Sequence, residues 1–342
     1  MKAIVIHEHG GVEVLKYTDF PDPEAGPGEV LIEVKACALN HLDLWVRRGL
    51  PGIDFKFPHI LGNDVSGVVK HVGEGVMNIK PDDPVLVSPG VSCMHCEQCL
   101  SGQDNLCRSY QIVGYARPGG YAEYLKVPSV NVVRIPGALS FEEAAAIPLV
   151  FLTAWHMLVT RAKLKAGETV LVHAAGSGVG SAAIQIGKLL NARVLATAST
   201  DEKLAKAKEL GADETINYIE KDFAAEARRL TGKRGVDVVV EHTGVSTWEK
   251  SIMSLCTNGR VVTCGATTGY LAQMDLRHLF ARHLNVLGSY MGAKHELLEV
   301  LKFFACGQLR AVIDRVLPLT EAGAAHRILE DRNQFGKVIL TP

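Results

Sequence analysis

No stretch of this sequence approaches the ~20 consecutive apolar residues that a membrane-spanning helix requires, so a helical integral membrane protein is not expected. The start, MKAIVIHEHG, has no basic segment followed by an apolar one, and no secretory leader is read there. Charge of one sign is also missing: 36 lysines and arginines stand against 37 aspartates and glutamates, a formal net charge of -1. A chain so balanced has no field to draw nucleic acid or an anionic membrane surface. Internal repeats and low-complexity tracts are absent. Cysteine is sparse, eight in 342 residues, too few for a disulfide scaffold. The expectation is a soluble, cytoplasmic protein acting on small molecules. Its length exceeds what one core usually fills, so two domains are expected.

Half of the cysteines are clustered. Cys93, Cys96, Cys99 and Cys107 lie within the segment SCMHCEQCLSGQDNLC, a metal-ligand spacing. Four thiolates form a closed tetrahedral shell with no open position for a substrate. Such a metal, one per chain, holds a loop and does no chemistry. The flanks carry no basic patch, which excludes a nucleic-acid-binding finger. The remaining Cys37, Cys256, Cys264 and Cys306 are scattered in apolar context, as in a reducing compartment.

Short apolar or alternating runs such as EVLIEVKACALN and DVSGVVKHVG, bounded by Gly, Pro and Asp, make the first ~135 residues β-rich. The texture changes at SFEEAAAIPLVFLTAWHML, where Ser140 and Glu143 form a capping box ahead of an Ala-rich helix. From residue 168 strand-like and helix-like segments alternate: ETVLVHAA, GVGSAAIQIGKLL, ARVLATAS, DEKLAKAKELGA, and onward to GRVVTCGA. The strands are near-continuous apolar runs, which predicts a doubly wound parallel sheet covered on both faces. Beyond LNVLGSYMG, readable as an edge or an interior strand, come a helix, KHELLEVLKFFACG, and a last strand, KVILTP.

The segment VLVHAAGSGVGSAAIQ reads strand, glycine turn, helix. Gly176, Gly178 and Gly180, with Ser177 and Val179 between them, allow a tight turn and let a pyrophosphate reach the free N–H groups of the helix start. This context at the head of a βαβ series identifies a Rossmann dinucleotide site. An NAD site wants an acid at the tip of the next strand, about 20 residues on. Here the tip is Ala198, Ser199 and Thr200; Asp201 and Glu202 come later, and Lys203 follows. A missing acid beside a cation favours the 2′-phosphate of NADP(H) over NAD(H).

The chain resembles, over its whole length, the medium-chain dehydrogenase/reductase superfamily, which includes zinc alcohol dehydrogenases and quinone oxidoreductases. The matching stretches are PGEVLIEVKACALNHLDLWVRRG, LGNDVSGVV, the four-cysteine lobe, GGYAEY, AGSGVGSAAIQ, AKELGAD and FGKVIL. The resemblance implies an α/β protein with a GroES-like catalytic domain over 1–150, a Rossmann domain over 151–291 and a return to the first domain over 292–342. It also implies hydride transfer between the domains, and a structural zinc on Cys93, Cys96, Cys99 and Cys107.

The same resemblance makes the catalytic zinc of alcohol dehydrogenases doubtful here. Cys37 matches one ligand, but Asn63 and Asp64 stand for a His-Glu pair, Leu149 for a second cysteine and Leu39 for the proton-relay hydroxyl. An atypical site would need Cys37 and Asp64 joined by His41 or His59. The segment NHLDLWVRRG matches the quinone oxidoreductase branch through Asn40, Asp43, Arg47 and Gly49, with Trp45 where tyrosine is common. In that branch the 2′-phosphate meets residues matching Lys203, Tyr218 and Arg332. Thr243 and Gly244, ending the fourth Rossmann strand, are expected near the nicotinamide ribose.

Without a Lewis acid, charge growing on a substrate oxygen must be held by hydrogen-bond donors. Asn40, Asn63 and His41 are the candidates, with Cys37 and Asp64 beside them. The expected activity is NADPH-dependent reduction of a quinone or enone by a homodimer or homotetramer. The alternatives are an alcohol dehydrogenase with an atypical zinc site and a non-catalytic nucleotide-binding protein.

Overall fold

The computed structural model describes residues 1–342, which form two compact units: Met1–Leu149 with Ala293–Pro342, and Val150–Gly292. Along the first unit run β1 (Lys2–Ile6), β2 (Lys16–Asp19), β3 (Glu29–Ala38), α1 (His41–Arg48), β4 (His59–Ile60), β5 (Asp64–Val72) and β6 (Pro84–Val87). Then come β7 (Gly90–Val91), α2 (Glu97–Leu100), β8 (Gln111–Ile112), β9 (Tyr124–Pro128), β10 (Val132–Arg134) and α3 (Phe141–Ala145). After α4 (Pro148–Trp155) the second unit contains β11 (Thr169–Val172), α5 (Gly178–Leu189), β12 (Arg193–Ala198), α6 (Asp201–Glu209) and β13 (Glu214–Asn217). It continues with α7 (Phe223–Leu230), β14 (Val236–Glu241), α8 (Val245–Ser254), β15 (Leu255–Thr263), α9 (Leu276–Ala281) and β16 (Asn285–Gly288). The chain returns to the first unit through α10 (Lys294–Ala305), β17 (Ile313–Pro318), α11 (Ala322–Glu330) and β18 (Lys337–Thr341).

In the first unit a seven-stranded sheet has the order β10-β6-β5-β3-β18-β17, with β9 also on β3. β3 alternates partly exposed and buried residues until Cys37 and Ala38, where consecutive positions are buried. There it is flanked by β5, with Ala38 opposite Asp64, and by β18, with Leu340 opposite Cys37. The return segment therefore supplies an interior strand to a sheet laid down ~300 residues earlier in the sequence.

The second unit is a six-stranded parallel sheet, β13-β12-β11-β14-β15-β16. The strands TVLV and VDVVVE are buried at every position, because helices cover both faces. Leu171, Leu195, Phe223, Val239, Ile252 and Val261 form the core on one side. The strand order reverses between β11 and β14, and ligands bind beyond the carboxyl ends of strands at such a point. β16 lies at the edge, which settles the reading that LNVLGSYMG had left open. No helix is long and apolar enough to cross a membrane.

Two local departures from the sequence reading have physical causes. The Ala-rich helix is divided: α3 ends at Ala145 and α4 starts at Pro148, whose missing N–H suits a first helical position and no interior one. β17 and α11 were not anticipated. β17 has no buried residue and does not alternate, and Glu321, just before α11, gives that helix no side-chain cap.

The anticipated capping box is present: Ser140 Oγ accepts from Glu143 N at 3.2 Å, and Glu143 Oε2 accepts from Ser140 N at 2.8 Å. Ser140→Ala is expected to cost about 1 kcal/mol, read as a lower urea midpoint with an unchanged far-UV circular dichroism spectrum.

Candidate active site and metal lobe

Where β5, β3 and β18 lie side by side, three polar side chains converge inside the first unit. Asp64 is fully buried, Lys337 is 3% exposed and Asn40 is 6% exposed. The Lys337 ammonium donates to Asn40 Oδ1 at 2.6 Å and to Asp64 Oδ2 at 3.0 Å. Asn40 Nδ2 donates to the same Asp64 oxygen at 2.9 Å, and the backbone N–H of Leu149 donates to Asp64 Oδ1 at 2.8 Å. The triangle is closed, and one Lys337 N–H is left uncommitted. Sequence reasoning missed Lys337, although it sits in the FGKVIL stretch that carried the resemblance. A lysine at the start of a short terminal strand reads as a surface charge until the register of β18 against β3 is known.

Asp43 ties this cluster to the chain before and after it. Its Oδ2 accepts from Asn40 N at 2.8 Å and its Oδ1 from Gly62 N at 2.9 Å. Burial pushes its carboxyl up to about 7, against those two backbone donors and the Lys337 charge. Arg47 has only donors, so its 3.0 Å contact with His326 Nδ1 fixes the ring as the Nε2–H tautomer. That N–H then donates to Tyr121 Oη at 3.2 Å, and the phenol bonds to Asp43. A chain of buried hydrogen bonds thus supports the turn that carries Asn63 and Asp64. Gly62 has φ +101°, and a Cβ there would lie 2.5 Å from the Tyr121 ring and 2.7 Å from Cys37 Sγ, so glycine is required.

The other candidates are placed as follows. Asn63 is fully buried; its Nδ2 donates to Val113 O at 2.6 Å, and its Oδ1 has no partner. Cys37 lies in the apolar core, where burial raises its thiol well above the usual value. His41 opens α1 with its ring edge-on to Trp45, centroids 6.4 Å apart. His59 Nε2 bonds to Gly114 O at 3.1 Å. Neither Cys37 nor Asp64 joins a group of three metal-capable side chains.

The cysteine lobe contrasts with this. The sulfur atoms of Cys93, Cys96, Cys99 and Cys107 all lie within 4.8 Å of one another. Cys93 to Cys99 is 3.9 Å and Cys96 to Cys99 is 3.5 Å. A tetrahedral zinc with bonds of about 2.3 Å has sulfur–sulfur edges of about 3.8 Å, so the donor set fits that ion. Lys294 anchors the lobe to α10: its Nζ donates to Gly90 O at 2.6 Å and Asp104 Oδ2 at 3.1 Å, and its N–H donates to Asp104 Oδ1 at 2.8 Å.

In the second unit the glycine turn follows β11 directly. Ser177 caps α5, accepting from Gly180 N at 2.9 Å, and Gly176, Gly178 and Val179 complete the turn and the first helical positions. A Cβ on Gly180 would lie 2.3 Å from Ala174 O, the close helix–strand approach that such a turn needs. Ser199 ends β12, Thr200 caps α6, and Lys203 lies in its first turn. Tyr218 follows β13, with its N–H on Ala198 O at 3.2 Å, so Ser199, Lys203 and Tyr218 share one end of the sheet. The nearby acids are engaged: Asp201 Oδ1 accepts from Asn217 at 3.3 Å, and Glu202 pairs with Lys206 at 2.7 Å. Arg332 belongs to the first unit, just after α11, at φ 55°. Thr243 and Gly244 follow β14, both N–H groups on Glu241 Oε1, at 2.7 and 3.1 Å.

A Rossmann unit with a glycine turn, joined to a GroES-like unit with a Cys₄ lobe, defines an NAD(P)-dependent oxidoreductase. Residues 26–137 match the alcohol dehydrogenase GroES-like domain family and residues 178–306 the zinc-binding dehydrogenase family. The chain is 33% identical to acryloyl-coenzyme A reductase of Metallosphaera sedula, over 100% of both proteins. It is 30% identical to human quinone oxidoreductase, over 99% of this chain and 97% of that one. A crystal structure described as an NAD-dependent alcohol dehydrogenase superposes over 100% of both chains, with a TM-score of 0.97 and 51% identity. The chain belongs to the medium-chain dehydrogenase/reductase superfamily, in its zinc-type alcohol dehydrogenase and quinone oxidoreductase part.

Cys96→Ser is expected to abolish zinc retention, measured by elemental analysis of the dialysed protein, and to lower the Tm by about 5 °C or more.

Proposed function

We propose that the protein is an NADPH-dependent reductase of electron-poor carbonyl compounds, quinones or enones, containing one structural zinc per chain. The observation that carries this reading is the commitment of Asp64 to the Leu149 N–H, the Asn40 amide and the Lys337 ammonium. That carboxylate stands where the resemblance puts part of a catalytic zinc site, and a lysine cation already compensates it. The partners a zinc would need are a leucine at 149 and an asparagine at 63. A bound reduced nicotinamide supplies a hydride. The protein's part is to hold the negative charge that then grows on the substrate oxygen. The uncommitted N–H of Lys337 and the amide donors of Asn40 and Asn63 are the groups for this. The orphan Oδ1 of Asn63 fits a hydroxyl or water proton on the substrate side. Such donors are worth a few kcal/mol each when preorganised. That suffices for quinones and for enones, whose charge spreads into an enolate, and suits unactivated alcohols poorly.

Similarity to an acryloyl-coenzyme A reductase and a quinone oxidoreductase supports this class. Lys203 and Tyr218 at one end of the sheet, with no free acid at the tip of β12, support NADPH, and Arg332 is a further candidate for the 2′-phosphate. A second reading, NAD-dependent alcohol oxidation, is favoured by the 51% identity to a structure described that way. We infer also that the chain forms a homodimer through the β16 edge. Val286, Leu276, Phe280 and Tyr290 around that edge are 41, 63, 67 and 55% exposed, an apolar strip that a second copy would cover.

Purified protein is expected to contain one zinc per chain and to oxidise NADPH with a quinone or cyclic enone, at a rate unchanged by chelators that leave the lobe loaded. Two zincs per chain, with brisk NAD-linked alcohol oxidation, is the opposing result. Lys337→Met, folded by circular dichroism, is expected to lower kcat about 100-fold with the NADPH dissociation constant unchanged. Val286→Lys is expected to convert the dimer to monomer in analytical ultracentrifugation.

A further inference from the structure

The second unit contains a buried carboxylate for which the foregoing reading has no use. Glu241 ends β14 and is fully buried. Its Oε1 accepts from the N–H groups of Thr243 and Gly244; its Oε2 accepts from Thr247 Oγ1 at 2.9 Å and Ser251 Oγ at 2.7 Å. Because the Ser251 hydroxyl donates to the carboxylate, His173 Nε2, 2.9 Å from Ser251 Oγ, must be the N–H donor to that oxygen. Thr197 lies 3.3 Å from Nδ1 on the other side of the ring. The arrangement has the residue types of a hydrolytic triad in the wrong order: the serine is buried and its proton faces the acid, so it is no nucleophile.

What the network does is join the two loops at the strand-order reversal. His173 follows β11 and leads into the glycine turn, whereas Thr243 and Gly244 follow β14. The charge, moreover, has no counter-ion. The groups facing Glu241 are His173, 3.7 Å away, His242 and the Cys264 thiol; no lysine or arginine pairs with it. Burial pushes His173 down to about 4 and lowers His242, so both rings are neutral near pH 7, and burial pushes Cys264 up to about 12. Burial alone would raise the Glu241 carboxyl; the Ser251 hydroxyl and the Gly244 and Thr243 N–H groups oppose that at any pH, and His173 adds to them only when its ring is protonated. The start of α8 adds a favourable dipole.

We infer that Glu241 is a fixed negative charge of the dinucleotide site, and that it shifts binding toward the oxidised, positively charged nicotinamide relative to the neutral reduced ring. The inference rests on reading this unit as a dinucleotide site. A buried, uncompensated anion acts over several ångströms in a low-dielectric interior, and only the oxidised ring offers it a cation. Glu241 is thus a positioning and charge-setting residue, acting through the Thr243–Gly244 turn and through its field.

The test is the ratio of dissociation constants for oxidised and reduced cofactor, by calorimetry, using whichever of the NADP(H) or NAD(H) pairs the wild type prefers. Glu241→Gln keeps the shape and one acceptor oxygen, replaces the other by an NH₂ group and removes the charge, and is expected to weaken the oxidised form about ten-fold more than the reduced one. Glu241→Asp and Ser251→Ala keep the charge and are expected to change both affinities together, preserving the ratio. An unchanged ratio in Glu241→Gln, or an equal shift of the ratio in Ser251→Ala, overturns the inference and leaves the dinucleotide reading standing. Wild-type protein that binds neither form overturns both.

Discussion

Burying an ammonium and a carboxylate together costs several kcal/mol of desolvation per ion unless every remaining donor and acceptor is answered. The Lys337–Asp64 pair meets that condition by recruiting Asn40 and the Leu149 N–H. It also fixes the fold around it, because each partner comes from a different part of the chain. Asp64 opens β5, Asn40 follows β3, and Lys337 opens β18. Removing one partner would strand a buried charge, typically a loss of about 3–5 kcal/mol. The register of β18 on β3 is therefore held by electrostatics as well as by Val338, Ile339 and Leu340 in the core. The buried polar cluster can form only when the last strand is in place.

Three buried carboxylates show how one chemical group is given different properties. Asp64 has a cation against it. Asp43 has two backbone donors and a phenol, and burial still drives it up to about 7. Glu241 has no cation but accepts from four donors, two of them backbone N–H groups at a helix start, and its carboxyl is held low. What faces each carboxylate, more than depth, separates the second case from the third: Glu241 has His173 and two hydroxyls beside its two N–H donors.

Much of this was legible in the sequence, and the reasons are local. Period and punctuation exposed β3, the glycine turn and the alternation of β11 to β15, because buried parallel strands read as apolar runs and the turn needs glycine. The Ser140 box and the Cys₄ spacing are likewise short-range signals, and both have the geometry that their chemistry requires. What stayed hidden is long-range. Lys337 acquires its meaning 273 residues from Asp64 and 297 from Asn40, across a register that no local pattern encodes. Glu241 was invisible because VDVVVE reads as strand to its last residue, and its partners Ser251 and His173 lie on two other elements.

The two cysteine environments explain why one metal site fits its ion and the other position is built differently. In the lobe, four soft donors on a short loop need only local folding to reach tetrahedral spacing, and Lys294 fastens that loop to α10. Around Cys37 the backbone is constrained from every side: Gly62 and Tyr121 press on the sulfur, and its neighbours on the sheet belong to β5 and β18. A thiol so enclosed is costly to ionise, and the carboxylate closest in role is already bound to an ammonium. At Asp64 the charge of the carboxylate is met by the Lys337 ammonium, a hydrogen-bond donor.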